Sequence, residues 1–392
     1  MNGFAFHAAA PSGEWLNDPN GLAFSEGRYR LFAQHAADAP DFKRVGWGAL
    51  SSDDLLQWRW DGVEVAPSLD GWAYSGSVVR GDTAELEMFL TRHDPIANMQ
   101  TQERVTGARD QRRFEAFGPS GRNCRDPFVF PSDGGWAMLV ARPCDWHDWA
   151  SDPPSQLELW RSPDRETWSL CGIIGPWFAA GVMWEVPALI DFGEVQVLLI
   201  SIVDRRAGGA ACSVRYWTGD LTKNGFAPHA GCPTEGRLLD AGPDFYAAIP
   251  NLVSGWPSDE HVIVGWAANW SDARQRVYPG NAHGGPIALP RVVRLDATGS
   301  RLIQTPIAAA AGLARSLPVS ETLITVSRGD SALTIECRDQ ELQVTMARPD
   351  SGYSSHSPLI HLDHPNQSWQ IFEDGPLIEI FTPHGMTVTA VL

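Results

Sequence analysis

The apolar residues of this chain come in short runs, and that feature excludes most architectures. Arg28–Gln34, Gly76–Val79, Phe128–Phe130, Trp136–Val140, Val195–Val203 and His261–Trp266 carry the β-branched and aromatic residues that suit strands. Clusters of Gly, Pro, Asp, Asn and Ser separate them. Recurrence at three and four positions, the mark of an amphipathic helix, is scarce. Many short strands divided by turn residues predict an all-β chain, built as a sandwich, a barrel or a propeller. The 392 residues leave room for two domains.

The last part of the chain reads differently. T-L-I-T-V, L-T-I-E-C, L-Q-V-T-M, W-Q-I-F and L-I-E-I-F alternate with period two and show one apolar face, as in an antiparallel sandwich. Between the two texts lies T-P-I-A-A-A-A-G-L-A-R, Thr305–Arg315. Thr305 is a capping residue, Pro306 suits the first helical position and the alanines favour helix. The expectation is a first domain over 1–303, a linker helix over 304–316 and a second domain over 317–392.

The 47 acidic residues outnumber the 30 basic ones, for a formal charge of -17. Phosphate backbones and anionic membrane surfaces would be repelled, so neither nucleic acid nor membrane is a predicted partner. A neutral substrate fits, as does a plain solvated acidic surface. The longest later apolar run, Val195–Val203, is broken by polar residues and suits a buried strand better than a span. No two of the six cysteines form C-x-x-C, and no other spacing asks for a metal; no metal and no cofactor are predicted. His361 and His364 read as a solvated loop, not a ligand pair. The N-terminal M-N-G-F-A-F-H-A-A-A lacks a basic start, so a cytoplasmic protein with free thiols is the simplest expectation. A secreted chain whose leader has been removed would read the same. The 17 tryptophans are expected to serve mostly as core, with a few as platforms for sugar rings.

Chemistry enters with three carboxylates in unusual places. In W-L-N-D-P-N-G, Asp18 precedes a proline and a tight Asn20-Gly21 turn. A residue before proline is pushed towards extended backbone, so Asp18 is held stiffly at a strand end. In N-C-R-D-P-F-V-F, Asp126 does the same beside Arg125. In M-W-E-V-P-A-L-I, Glu185 sits between Trp184 and a strand. Asp18, among amides and turn N–H groups, is expected to stay ionised. Glu185, among Met, Trp, Val and Pro, is expected to keep its proton, because desolvation disfavours the charged form. Each acid alone more often caps a strand than catalyses. Three in such contexts, with opposed environments, match the two-carboxylate logic of glycoside hydrolysis.

These motifs resemble glycoside hydrolase family 32, the invertases, exo-inulinases, levanases and sucrose-6-phosphate hydrolases. W-L-N-D-P-N-G is similar to its W-M-N-D-P-N-G signature, C-R-D-P to its R-D-P motif and M-W-E-V-P to its E-C-P motif. Further matches follow in order: R-L-F-A-Q, W-G-A-L-S-S-D-D-L-L-Q-W, Y-S-G-S, L-D-A-G-P-D-F-Y-A, W-A-A-N-W, G-P-I-A-L-P-R and D-G-P-L-I-E-I-F. Together they cover residues 14 to 381. The resemblance implies a five-bladed β-propeller followed by a β-sandwich, short here at about 75 residues against the family's usual length. With Asp18, Ser75, Asp126, Glu185 and Asp240 as markers, the motifs lie 57, 51, 59 and 55 residues apart. That interval suits one four-stranded blade per repeat.

The resemblance also implies roles. Asp18 is the nucleophile, Glu185 the acid/base, and Asp126 with Arg125 holds the fructosyl hydroxyls and stabilises the transition state. Asn17, Gln34, Trp47, Tyr74, Ser75, Asp240 and Trp266 line the pocket. The implied reaction is retaining hydrolysis of the terminal β-fructosyl bond of sucrose or a short fructo-oligosaccharide, through a fructosyl ester of Asp18. Val186 replaces the cysteine that often follows the family's glutamate, and Ala49 a common histidine after Trp-Gly. Three rivals share parts of the text. A fructosyltransferase would use the same donor chemistry with a sugar acceptor. A related arabinose-type propeller glycosidase fits N-D-P-N-G and M-W-E-V-P less well. A fructan-binding module without catalysis predicts a missing acid, and all three acids are present.

Overall fold

The computed structural model describes residues 3–37, 41–68, 71–81, 85–107, 109, 112–144, 152–206, 211–251, 260–317, 323–338, 341–361 and 368–392. Over these the chain is all-β, its helical content confined to short 3-10 turns. No described helix is long and apolar enough to cross a membrane. His364 lies outside the described residues.

Five antiparallel sheets follow one another along the chain. Their core strands come in sequence order, within residues 15–65, 72–121, 125–174, 182–228 and 246–306. In the fourth, the short strand Arg237–Leu238 adds to Ala211–Thr222. Tight hairpins set the register. Ser25 faces Arg28, and the two residues between them, Glu26 and Gly27, have φ of 53° and 75°. Two consecutive positive angles make a turn whose twist matches that of the flanking strands.

The first strand of each sheet packs on the first strand of the next. Trp15–Ser25 meets Trp72–Arg80, which meets Arg125–Ser132, then Val182–Asp191, then Tyr246–Pro250, which returns to Trp15–Ser25. The circuit closes on itself, and sheets of four strands in this order are consistent with a propeller. Between the sheets lies the main core, where Trp15, Trp184, Trp217 and Trp266 are fully buried.

Two further sheets complete the chain. One joins Arg315–Leu317, Trp369–Asp374, Leu377–Phe381 and Thr387–Val391. The other joins Leu323–Arg328, Ser331–Arg338, Glu341–Arg348 and Tyr353–His356, with Ile360–His361 paired to its third strand. Leu333, Ile335, Leu342 and Val344 of the second share one apolar cluster with Ile371, Ile378, Ile380 and Val388 of the first. The period-two alternation of the tail placed these residues on one face.

The expected linker helix over 304–316 does not form. Thr305 and Pro306 end the strand Leu302–Pro306, paired with Val292 and Arg291. Only Ala308–Ala310 turns, as a single 3-10 turn, before the strand Arg315–Leu317. Cross-strand pairing, with Leu302 and Gln304 buried, outweighs the propensity of a few alanines too short to repay helix nucleation. The boundary expected at 303 thus falls inside a strand that runs to 306.

Candidate active site

Each first strand breaks register near its start, once in four of them and twice in Trp15–Ser25. The shifts fall at Leu16–Gly21, between Tyr74 and Gly76, at Arg125–Phe128, between Glu185 and Ala188, and between Tyr246 and Ile249. Such bulges re-aim side chains, here at the same level of all five sheets. Asp126, Val186 and Ala247 within them have φ of 61°, 45° and 52°. For a β-branched valine this is a strained conformation. The extended backbone that proline predicts for its predecessor is overridden at Asp126 and Val186. At Gly76 only glycine fits, since a Cβ there would lie 1.9 Å from the Phe89 carbonyl oxygen. That close approach carries the bulge that turns Ser75 towards Asp18.

The bulges bring Asp18, Asp126 and Glu185 to one cavity of about 400 Å³. Ser75 Oγ donates to Asp18 Oδ2 at 2.8 Å, and Asn17 Nδ2 to Oδ1 at 3.0 Å. Asn17 is itself set by Trp15 Nε1, at 2.9 Å, and by Gln34 Oε1. Val186 N–H, turned by its strained backbone, donates to Asp126 Oδ2 at 2.9 Å. The Asp126 N–H is fixed by Thr91 Oγ1, also at 2.9 Å. Arg125 donates to Glu185 Oε1 through Nε at 3.1 Å and through Nη2 at 2.8 Å. Tyr246 donates its hydroxyl to Glu185 Oε2 at 2.7 Å.

Three acids therefore share one cavity, with the Arg125 guanidinium bonded to Glu185. Burial first, and then the charge of Glu185, pushes Asp18 up to about 6. Burial pushes Asp126 up to about 7 against the pull of Arg125, with Glu185 and Asp18 adding to the rise. Desolvation and crowding exceed what the hydrogen bonds from Ser75 and Asn17 offset, so Asp18, expected to stay ionised, does so above about pH 6. Glu185 is not isolated among apolar groups either. It is met on one oxygen by Arg125 and on the other by Tyr246.

Of the expected pocket residues, Gln34, Tyr74, Ser75 and Arg125 line the cavity, and Asn17 lies directly beneath Asp18. Trp47 and Trp266 are fully buried and act from behind. Trp47 Nε1 holds the Tyr74 carbonyl at 2.9 Å, and Trp266 packs on Trp270 at 4.9 Å between ring centroids. Asp240 is elsewhere. Its carboxylate takes Arg291 Nη1 and the hydroxyls of Thr387 and Thr389, each at 2.8 Å, where the fifth sheet meets the C-terminal sheet. A buried arginine and two threonines claim the oxygens that the pocket expectation required.

Sequence reasoning missed Tyr246, Thr91 and the aromatic wall. Tyr246 stood six residues after Asp240 in the same L-D-A-G-P-D-F-Y-A text, at the start of a first strand. Trp270 closes W-A-A-N-W and lines the cavity with Phe42, Trp72 and His93. His93 stacks on Tyr74 at 4.7 Å. Burial, and then the charge of Arg125, lowers the pKa of His93. Among the described residues, no group of three or more His, Cys, Asp or Glu is placed to hold a metal ion.

Comparison with known proteins agrees with this geometry. The family model of the glycosyl hydrolases family 32 N-terminal domain matches residues 7–306. A raffinose invertase of Escherichia coli is 31% identical over 368 residues, covering 88% of this chain and 73% of that protein. An extracellular exo-inulinase of Aspergillus awamori is 27% identical over 384 residues, covering 83% of this chain and 68% of that protein. A solved structure of exo-inulinase from Aspergillus awamori superposes with a TM-score of 0.78 at 20% identity, over 100% of this chain and 93% of that one. A sucrose-6-phosphate hydrolase from Lactobacillus gasseri gives a TM-score of 0.74 at 22% identity, over 99% of this chain and 88% of that one.

Proposed function

This chain belongs to glycosyl hydrolases family 32, and from that premise we infer how its residues divide the reaction. The protein is a glycoside hydrolase of terminal fructosyl bonds, a β-fructofuranosidase. Its substrate is sucrose or a short fructo-oligosaccharide. Asp18 attacks the anomeric carbon of the fructosyl unit while Glu185 protonates the departing oxygen. Water, deprotonated by Glu185, then releases fructose from the Asp18 ester. Asp126, with Arg125, holds the fructosyl hydroxyls and stabilises the transition state.

The observation that carries this reading is the convergence of three carboxylates, two of them buried, on one cavity beside Arg125. An isolated strand cap would be satisfied by its own turn. Here Asp18 and Asp126 are held near neutral pKa values, so the group retains a proton close to working pH. Catalysis requires that proton on Glu185 and a charge on Asp18 when substrate binds. A cavity of about 400 Å³ suits a terminal unit with a small leaving group. The five sheets with closed first-strand contacts are read as blades of a five-bladed propeller. The last two are read as a β-sandwich, with the division between 306 and 315. The six cysteines form no disulfide among the described residues, which fits a reducing compartment.

Stereochemistry tests the two-step route. Two inversions cancel, so early-time NMR of sucrose hydrolysis is expected to show β-fructose first, before mutarotation. Predominant α-fructose would exclude an ester on Asp18.

A further inference from the structure

One wall of the cavity is made by Trp270 and Arg274, from the segment that follows the strand His261–Trp266. That segment has little regular structure of its own. Its first 3-10 turn, Ala273–Gln275, starts at Asp272, whose side chain makes no capping bond. The Asp272 carboxylate points instead at the C-terminal sheets. Arg348, at the end of Glu341–Arg348, donates through Nη1 to Asp272 Oδ2 at 2.9 Å. Through Nη2 the same guanidinium reaches Asp244 Oδ2. Asp244 Oδ1 accepts from Asn269 Nδ2 at 2.6 Å, and Asn269 Oδ1 accepts the Ser271 N–H at 2.9 Å. One buried fork thus grips the segment at both ends, through Asn269 before Trp270 and through Asp272 before Arg274.

The side chains of Arg348, Asp244 and Asp272 are 3%, 0% and 2% exposed. A charge so placed is tolerated only when paired, and the rigid guanidinium fork holds two carboxylates in fixed directions at once. Arg276 adds a second tie, from Nη2 to the Val391 carbonyl at 3.0 Å. Trp270 is then free to stack on Trp15, at 6.3 Å and 18° between the rings, and to stand edge-on to Phe42.

We propose that Arg348 is a positioning residue for the substrate cavity: the C-terminal sheets fix the Trp270–Arg274 wall through the Asp244–Arg348–Asp272 bridge. The sheets would then serve substrate binding and not stability alone. The inference rests on the cavity being the fructoside site.

Arg348→Lys keeps a charge and loses the second arm of the fork. Asp272→Asn keeps volume and loses the ion pair. In the full chain, both variants are expected to raise KM for sucrose roughly tenfold with kcat within about twofold, since the wall binds substrate without taking part in bond breaking. Leu342→Ala, in the core of the same sheets, is the control. It is expected to lower the melting temperature and leave KM unchanged. Should Arg348→Lys fail to fold, Asp272→Asn decides alone. Wild-type KM in the folded bridge variants, or an equal rise in Leu342→Ala, would overturn the bridge. A wild type releasing no fructose from sucrose, raffinose or inulin would instead overturn the reading of the cavity.

Discussion

The cavity and the junction with the C-terminal sheet both bury acids around an arginine, with opposite results. At the junction, Arg291 donates to Asp240 at 2.8 Å and to Glu379 at 2.9 Å. The other Glu379 oxygen takes His7 Nε2 at 2.7 Å and the Leu289 N–H at 2.8 Å. His7 Nδ1 reaches Asp374 at 2.9 Å. Against the cost of burial, these bonds lower the pKa values of Glu379 and Asp374 and raise that of His7. In the cavity the acids are desolvated and crowded against one another, with Arg125 bonded to Glu185, and two of them are pushed up to about 6 and about 7. Satisfied charge marks structure; frustrated charge, held in place by bulges, marks chemistry.

Breaking each region should therefore have a different signature. Asp18→Ala is the largest expected effect, a fall in turnover of about four orders of magnitude or more, because no other group forms the ester. Its melting temperature should not drop, since a crowded charge is removed. Residual activity near wild type in folded protein would reassign the nucleophile.

Arg291→Met should do the reverse. It leaves Asp240 and Glu379 without their guanidinium, at a cost of about 3–5 kcal/mol in denaturant unfolding. Turnover per folded molecule at 25 °C should be nearly unchanged. A stability loss under about 1 kcal/mol would mean that the junction is not the clamp its geometry indicates.

A smaller effect sharpens the contrast by pH. The folded-state pKa of Asp18 is raised from 3.8 to about 6, so its ionisation costs stability. The cost is absent below the unfolded value and fully present above about 6. Asp18→Asn should thus be more stable than wild type by about 1–3 kcal/mol at pH 7.5, with the gain vanishing as pH falls through 6 towards 4. The junction has the opposite signs. His7 adds stability below its ordinary 6.5 that is lost as pH rises through its raised folded value. Glu379 adds stability above its ordinary 4.5 that is lost as pH falls through its lowered one. A gain from Asp18→Asn that does not change with pH would contradict the crowding account.

Much of the cavity was legible because the fold writes it locally. Asp18, Asp126 and Glu185 each lie within two residues of a proline, at the point where a first strand bulges. Asn17 and Arg125 sit within the same short motifs, and Ser75 in the Y-S-G-S of another first strand. Asp240 was not legible, because nothing near it distinguishes an acid on the axis from one at the junction. Its partners, Arg291, Thr387 and Thr389, lie 51, 147 and 149 residues away. Tyr246 was hidden for the same reason, since its tie to Glu185 spans 61 residues. The alanine run misled because propensity was read without the strand partner that claims Thr305 and Pro306.

The central claim is that the crowded carboxylates divide the work, Asp18 forming the ester and Glu185 moving the proton. Glu185→Gln, mixed with a fructoside bearing an acidic phenol, separates the two roles. The phenol needs little help to leave, so the first step should proceed, while the second lacks its base. The measurement is rapid-quench kinetics with mass spectrometry of the quenched protein. The account predicts a burst of phenol stoichiometric with enzyme, followed by slow turnover, and one fructosyl unit on the peptide that carries Asp18. A variant equally impaired on sucrose and on the phenyl substrate, with no burst and no adduct, would contradict it and place the acid on another residue of the cavity.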